Sequence, residues 1–403
     1  MKASEDIHSS TSGRSVSVRH LARRSWISLV FLGVLLASPV VAKACDDDSG
    51  GKRDIDIMTV NLYIGGGTER IVALDPTAPD YLTNLITTVT GVYYEIVASQ
   101  PAVRMQGVAD RIAARRPDIV SVEEATLVRT QSPGDLAFGG TTPATQVAFD
   151  YLQLLVAALQ ARGAHYAVVS TVDEWDAEMP MLNMQTGTLD DVRQTDREAI
   201  LVRTDLPPGQ LRVTNPQSGH FVHIIQFPAI GLAMQRGWCA VDVTVRGQSL
   251  RYICTHLEEE TAPQLQILQV QELLAGPALT TLPTILTGDF NADPLHRDGS
   301  LAYDYVRGAG FHDAWAVRHP HNPAGGLTWG HDEYLANPAT LFDRRIDFVF
   351  YRGPGLEAEA AEVIDLRLGR SQPPLWASDH AAFAATIEIE RAPCDRPDHE
   401  GHE

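Results

Sequence analysis

Positive charge is scarce in this sequence. Thirty-two lysines and arginines face fifty-one aspartates and glutamates, a formal net charge of -19 over 403 residues. The first 44 residues hold six of those cations and two of the acids, so the remainder is more acidic still, at -23. Such a chain repels polyanions unless cations intervene, which excludes a broad basic nucleic-acid surface and favours a bound divalent metal or a small substrate. Cysteine is scarce too: there are four, a usage that suits an oxidising compartment. No internal repeat or low-complexity linker divides the chain beyond residue 54.

The N-terminus is the exception in charge and in hydropathy. Arg14, Arg19, Arg23 and Arg24 precede an uncharged run, Trp26–Ala42, that ends in Ala42-Lys43-Ala44. A basic segment, an apolar segment and small residues at the cleavage positions predict a signal peptide over 1–44. The apolar run, about 17 residues, sits at the lower limit for a membrane span, so no transmembrane domain is expected in the mature chain. Cys45, followed by an acidic, glycine-bearing stretch, offers a lipid anchor on a tether, although Lys43 departs from the usual small-residue pattern. The expectation is an exported monomer: secreted, periplasmic or an outer-surface lipoprotein. Its parts would be a flexible linker at 45–54, a folded domain at 55–391 and an acidic tail at 392–403. The alternative roles at the ends are a Cys45–Cys394 staple and metal capture by His399 and His402.

Within the folded part, "DIDIMTVNLY", "DIVSVEEA", "HYAVVST", "REAILVR", "GWCAVDVTV", "RYICTHLE", "PTILTGDF", "RRIDFVFYR" and "HAAFAATIEI" read as strands. Helical spacing covers 102–116, closed by Pro117, then 145–162 and about 263–275. Helices interspersed with alternating strands predict an α/β fold with sheets packed on one another. Residues 172–196 read as a polar, acidic excursion, and 221–234, "FVHIIQFPAIGLAM", as an apolar segment that is either an exposed loop or two strands. A turn at Arg246-Gly247 sets Cys239 directly opposite Cys254, as a cross-strand disulfide or as two small buried residues.

The strands end on polar groups: Asn61, Glu124, His256, Asp289 with Asn291, Asp347, and Asp379 with His380. Singly, each has an ordinary reading as a cap, a turn residue, a buried hydrogen-bonded histidine or a solvated carboxylate, and Glu123 invites that last reading. Together their chemistry is complementary. In "GDFNADP", Asp289 and Asn291 point the same way from an extended segment while Phe290 anchors the other face, with Gly288 supplying turn chemistry. Magnesium prefers oxygen ligands such as Glu124 and Asp379, leaving room for water and phosphate. His380 held by Asp347 makes a dyad. His256, Asn61 and Asn291 can donate to phosphate oxygens, and Asp289 can orient or deprotonate a water. Arg197 is a further candidate phosphate contact, and Trp329 a candidate stacking surface or loop anchor.

The motifs "NLY", "PDIVSVEEA", "THLE", "GDFNADP", "RRIDFVF" and "SDHAAF", in this order from about Asp54 to Glu390, resemble those of the endonuclease/exonuclease/phosphatase family, the metal-dependent group that includes pancreatic deoxyribonuclease. The resemblance implies a four-layer sandwich, two packed mixed β-sheets flanked by helices, with the site in a cleft at one edge. It also implies that Asn61 and Asn291 place the phosphate, Glu124 binds Mg2+ (Mn2+ or Ca2+ as substitutes) with Asp379 adjoining, and His256 contacts the phosphate. Asp289 would act on the nucleophile, and Asp347 with His380 would form the dyad. Glu123 departs from the glutamine that many members carry there.

The expected activity is an exported Mg-dependent phosphodiesterase, with a nuclease-type substrate favoured. Cleavage of a phospholipid headgroup in the manner of bacterial sphingomyelinases, or of a small phosphomonoester, is the alternative. A surface-binding module without catalysis is a second one, which the intact Glu124, Asp289 and His380 argue against.

Overall fold

The computed structural model describes residues 54–390, apart from 229, 230 and 260. The expected leader, Cys45 and its linker, and the tail with Cys394, His399 and His402 lie outside the described residues. Among the described residues, no helix is long and apolar enough to cross a membrane.

Two mixed sheets carry the fold. The first runs in the order β15 (Leu356–Ile364), β16 (Ala382–Ile389), β1 (Asp54–Asn61), β2 (Ile119–Glu123), β6 (Leu189–Arg203), β3 (Leu127–Gln131), β4 (Gln146–Asp150), and β5 (Tyr166–Leu182) also pairs with β6. The second runs β13 (His312–Asp313), β14 (Asp347–Arg352), β12 (Thr284–Asp289), β11 (Gln248–His256), β10 (Gly237–Val245), β7 (Leu211–His220). β1 with β2 and β11 with β12 are parallel pairs inside otherwise antiparallel sheets. A separate hairpin joins β8 (Ile225–Phe227) to β9 (Leu232–Met234).

Strand periodicity sorts the side chains into layers. From β1, Ile55 and Ile57 enter the core between the sheets, with Cys239, Val241, Tyr252, Ile285 and Val349 opposite. Met58 and Val60 face the other way, onto α3 (Pro101–Arg115) and α4 (Tyr151–Ala161). On the far side of the second sheet, Ile253, Leu286, Phe348 and Phe350 pack on α5 (Pro263–Ala275) and α6 (Ala302–Gly308). The order is helices, sheet, sheet, helices: a four-layer α/β sandwich. The short α1 (Glu69–Val72), α2 (Tyr81–Ala98) and α7 (Ala314–Arg318) complete the helices named here.

Three local expectations need correction. Residues 145–162 are not all helix: Gln146–Asp150 pairs with β3, and Asp150 then caps α4 by accepting from the Gln153 N–H at 3.1 Å. The acidic stretch 172–196 is mostly strand, paired along the length of β5 and β6. Cys239 and Cys254 do face each other across the Arg246-Gly247 turn, both of whose φ angles are positive (47° and 87°), as a two-residue type I′ hairpin requires. Their thiols, however, are free and buried.

Candidate active site

The sandwich places the polar strand ends together through parity alone. Asn61 continues the inter-sheet face of Ile55 and Ile57, His256 that of Tyr252 and Cys254, and Asp347 that of Val349. Register then aligns them, with Asn61 opposite Glu123, His256 opposite Asp289 and Asp289 opposite Asp347. Each strand therefore delivers a polar group to one end of the gap between the sheets. That end opens as a cleft of about 380 Å³ whose lining includes Glu124, His256, Asp289, Asn291, Trp329, Asp379 and His380.

Backbone details aim these groups. Gly288 is not a turn residue but the penultimate residue of β12, with φ +132°; a Cβ there would lie 1.8 Å from the Thr255 carbonyl oxygen. Phe290 stands T-shaped against Phe348 and Phe350 at centroid distances of 5.6 and 5.1 Å, which fixes the opposite face of the tip. Asn291 adopts φ 47° and Glu124 φ 52°, left-handed conformations that turn each side chain off its strand. Buried Arg104 reaches from α3 to donate to the carbonyls of Leu62, Tyr63 and Ala377 at 2.6–3.0 Å, tying the segment after Asn61 to the one before Asp379.

A hydrogen-bond chain runs across the cleft. The Asn61 carboxamide donates to Glu124 Oε1 and to Asp289 Oδ2, both at 3.1 Å, while its oxygen accepts from the Tyr63 N–H at 2.8 Å. Glu124 Oε2 accepts from the Ile64 N–H. Asp289 Oδ1 accepts from the Asn291 N–H at 2.9 Å, and the Asn291 carboxamide lies 3.1 Å from His256 Nε2. His380 Nδ1 is 2.9 Å from Asp347 Oδ2, and its Nε2 faces Asp289 Oδ2 at 3.7 Å and Asp379 Oδ1 at 3.9 Å.

The environment gives the two histidines opposite roles. Burial alone would discharge His380, but Asp347, Asp379 and Asp289 hold its pKa well above the ordinary imidazole value. Burial, with Arg236 and His380 nearby, holds His256 well below it. Arg236 donates to His256 Nδ1 at 2.9 Å, and the ring's Nε2 faces the Asn291 amide nitrogen at 3.1 Å and Asp289 Oδ2 at 3.6 Å. Burial and the charge of Asp347 push the Asp289 carboxyl up to about 7, against the pull of His380. Burial, and Glu124 against the pull of His380, bring Asp379 to about 6. A base near neutral pH beside a charged imidazolium is the arrangement that general acid–base work at phosphorus needs.

Two triads of buried donors, Asp289–Asp347–His380 and Glu174–Glu198–His256, bring ligand atoms within 4.8 Å of one another. In the first, His380 Nδ1 is engaged by Asp347; in the second, His256 Nδ1 and Glu174 are engaged by Arg236. Glu124 and Asp379 both line the cleft, and the charge of Glu124 raises the cost of ionising Asp379. Their hard oxygen donors fit a divalent cation.

The expectation for Arg197 is corrected. Its guanidinium donates to the Ala125 carbonyl at 2.8 Å and to Asp150 at 2.6 Å, so it braces the segment after Glu124 instead of lining the cleft. Glu123 is not solvated: it is fully buried on the inter-sheet face, accepting from Thr59 at 2.8 Å and Cys254 at 3.3 Å, and burial with Asp347 and Asp289 raises it to about 8. Trp329 lies in the cleft wall, donating to Asp379 at 3.3 Å beneath the Arg344 guanidinium. Residues the sequence reading passed over are Arg236, Glu174, Asp196 and Glu198, the network behind His256. The available signal was parity: Glu198 shares its face with Ile200 and Val202, both in the inter-sheet core.

A buried carboxylate–imidazole pair, a near-neutral carboxyl and a cation-receptive pair of acids at strand ends define a hydrolytic site of the metal-assisted kind. The Endonuclease/Exonuclease/phosphatase family model matches residues 97–380. The chain belongs to that family, whose members are metal-dependent phosphoesterases, and its enzyme class follows. Among solved structures, a family protein from Leptotrichia buccalis is 14% identical, covering 83% of this chain and 100% of its own, with a TM-score of 0.48. A second from Beutenbergia cavernae is 18% identical over 85% of this chain and 73% of its own, TM-score 0.48. TDP2 from D. rerio, complexed with a single-strand DNA product, is 16% identical over 83% and 99%, TM-score 0.46. No curated protein matches the sequence.

Proposed function

We propose that this chain is an exported, magnesium-dependent phosphodiesterase that hydrolyses its substrate by in-line attack of water. The observation that carries the reading is the placement of Asp289 Oδ2 between the Asn61 carboxamide at 3.1 Å and His380 Nε2 at 3.7 Å, with Asp347 behind the imidazole. Asp289, near neutral in pKa, accepts the proton of the attacking water as the new P–O bond forms and the ester P–O bond breaks. The charged His380 donates to a non-bridging oxygen, and the Asp347 carboxylate fixes its ring and holds its proton. His256 Nε2–H and the Asn291 carboxamide donate to the same phosphoryl group. Held by Glu124 with Asp379, the cation would neutralise charge on the phosphoryl and leaving oxygens.

The arginines lining the cleft are Arg236 and Arg344, which with the charged His380 stand among seven acids. This supports recognition of one phosphate and not of a long polyanion, against the nuclease-type substrate expected from sequence. The test is hydrolysis of bis-p-nitrophenyl phosphate by purified protein with magnesium and with chelator. Turnover that needs the cation supports the reading, and no turnover under any divalent metal overturns it.

A further inference from the structure

Beside the catalytic cleft lies a second cavity, of about 350 Å³. Five residues line both: Thr68, Glu69, Trp175, Met234 and Glu259. The two spaces therefore adjoin across shared side chains, yet their chemistry differs. The second is walled by apolar side chains from three directions: Val92 and Ile96 of α2, Ala177 and Met179 of β5, and Phe227 and Leu232 of the β8–β9 hairpin. Among the described residues no lysine, arginine or histidine lines it, and its acids, Glu69, Glu258 and Glu259, include the two on the shared boundary.

The hairpin is the apolar segment 221–234 that the sequence singles out. It belongs to neither large sheet, and Ile225, Phe227, Leu232 and Met234 are half-buried against the cavity. A cavity of this size falls in the range of small-molecule sites and would otherwise hold about a dozen waters against apolar walls. Releasing them favours an apolar occupant.

We propose that this cavity receives the hydrocarbon chain of the ester whose phosphate sits at Asp289 and His380, so that the substrate is an amphiphilic phosphodiester of phospholipid type. The inference rests on the phosphodiesterase reading and names its substrate. The five shared lining residues set the cavity directly beside the phosphate end of the cleft, within reach of one amphiphilic molecule. The absence of cations in the wall and the acids at the boundary disfavour the alternative extension, a further run of nucleotides carrying one charge each. The single phosphate charge of a lipid diester is met at the catalytic end, and only uncharged chain crosses the boundary.

The test uses the full chain and a series of n-alkyl p-nitrophenyl phosphodiesters, ethyl to decyl. Water forms the new P–O bond, the aryl P–O bond breaks, and p-nitrophenolate leaves and is read by absorbance. kcat/KM is expected to rise about fourfold per methylene over several methylenes, then level off as the cavity fills. In Leu232→Glu and in Ala177→Trp, which charge or fill the cavity from different elements, the decyl-to-ethyl ratio is expected to fall toward one. Turnover of bis-p-nitrophenyl phosphate together with a flat alkyl series overturns the inference and leaves the phosphodiesterase reading standing. Should no ester turn over, that reading fails, and titration of ethyl- and decylphosphonate by tryptophan fluorescence decides the cavity separately. Equal affinities overturn it, whereas at least hundredfold tighter decylphosphonate binding supports it. Competition by a short oligonucleotide as strong as by decylphosphonate also overturns it.

Discussion

Replacing Glu123 with glutamine should make the protein more stable, by an amount that grows with pH. The side chain is fully buried, one oxygen accepts from Thr59 and Cys254, and the other has no hydrogen-bond partner. Burial, Asp347 and Asp289 raise its pKa from 4.5 to about 8. A raised carboxyl pKa means that the native state holds a proton the unfolded chain has released. Between pH 4.5 and 8 the native state therefore binds more protons, and stability falls as pH rises. At about 1.4 kcal/mol per unit, the shift from 4.5 to about 8 amounts to a loss of roughly 3 kcal/mol by pH 7 and about 5 kcal/mol above pH 8. Glutamine is neutral at every pH and keeps the acceptor oxygen, so Glu123→Gln removes this slope. The assay is urea unfolding of both proteins in chelator from pH 5 to 8. Asp289, Asp379 and the other groups titrate in both, so to first order only Glu123 enters the difference. The stability gap should widen by about 1.4 kcal/mol per pH unit; a gap independent of pH would show Glu123 ionised in the native state. The acid then acts as the neutral side chain that glutamine would be at this position.

Other outcomes follow from the same geometry. His380→Ala should lower kcat about 10²–10⁴-fold with the far-ultraviolet circular dichroism unchanged, and retained turnover would remove the dyad with Asp347. Because Asp289 must be ionised to accept a proton and its carboxyl is raised to about 7, kcat/KM should climb with pH through a limb at or below 7; a profile flat from pH 5 to 8 contradicts that role. Gly288→Ala, which sets a methyl group 1.8 Å from the Thr255 carbonyl oxygen at φ +132°, should cost more than about 3 kcal/mol or prevent folding. With Cys239 and Cys254 free, dithiothreitol should leave the thermal midpoint unchanged, whereas a disulfide between them would contribute about 2–4 kcal/mol that reduction removes.

Much of this site is written in strand parity. Asn61, His256, Asp289 and Asp347 are legible because each continues the alternation of an apolar strand, the first three where the strand stops and Asp347 where its antiparallel strand starts, and register brings those ends together. The α5 span is legible for a related reason, with Pro263 at its first position and an apolar stripe behind it. What the sequence hides depends on pairing over long separations. Glu123 looks like a surface acid beside Glu124 until β2 is buried between β1 and β6. The acids of 172–196 look like a solvated loop because their partners, Arg236 and His256, are distant in the chain. Arg197 sits at the right place in the chain for a phosphate contact, but β6 turns it toward Ala125 and Asp150. The segment 64–100 carries α2, whose threonines and glycine mask an apolar face that becomes a cavity wall.

Catalysis turns on Asp289 of "GDFN". Hydrolysis of bis-p-nitrophenyl phosphate with magnesium, compared between the natural chain and Asp289→Asn, tests it most directly. A loss of about 10²–10⁴-fold in kcat, with the fold and the stability of the variant intact, is the predicted result. Undiminished turnover by Asp289→Asn would contradict the account.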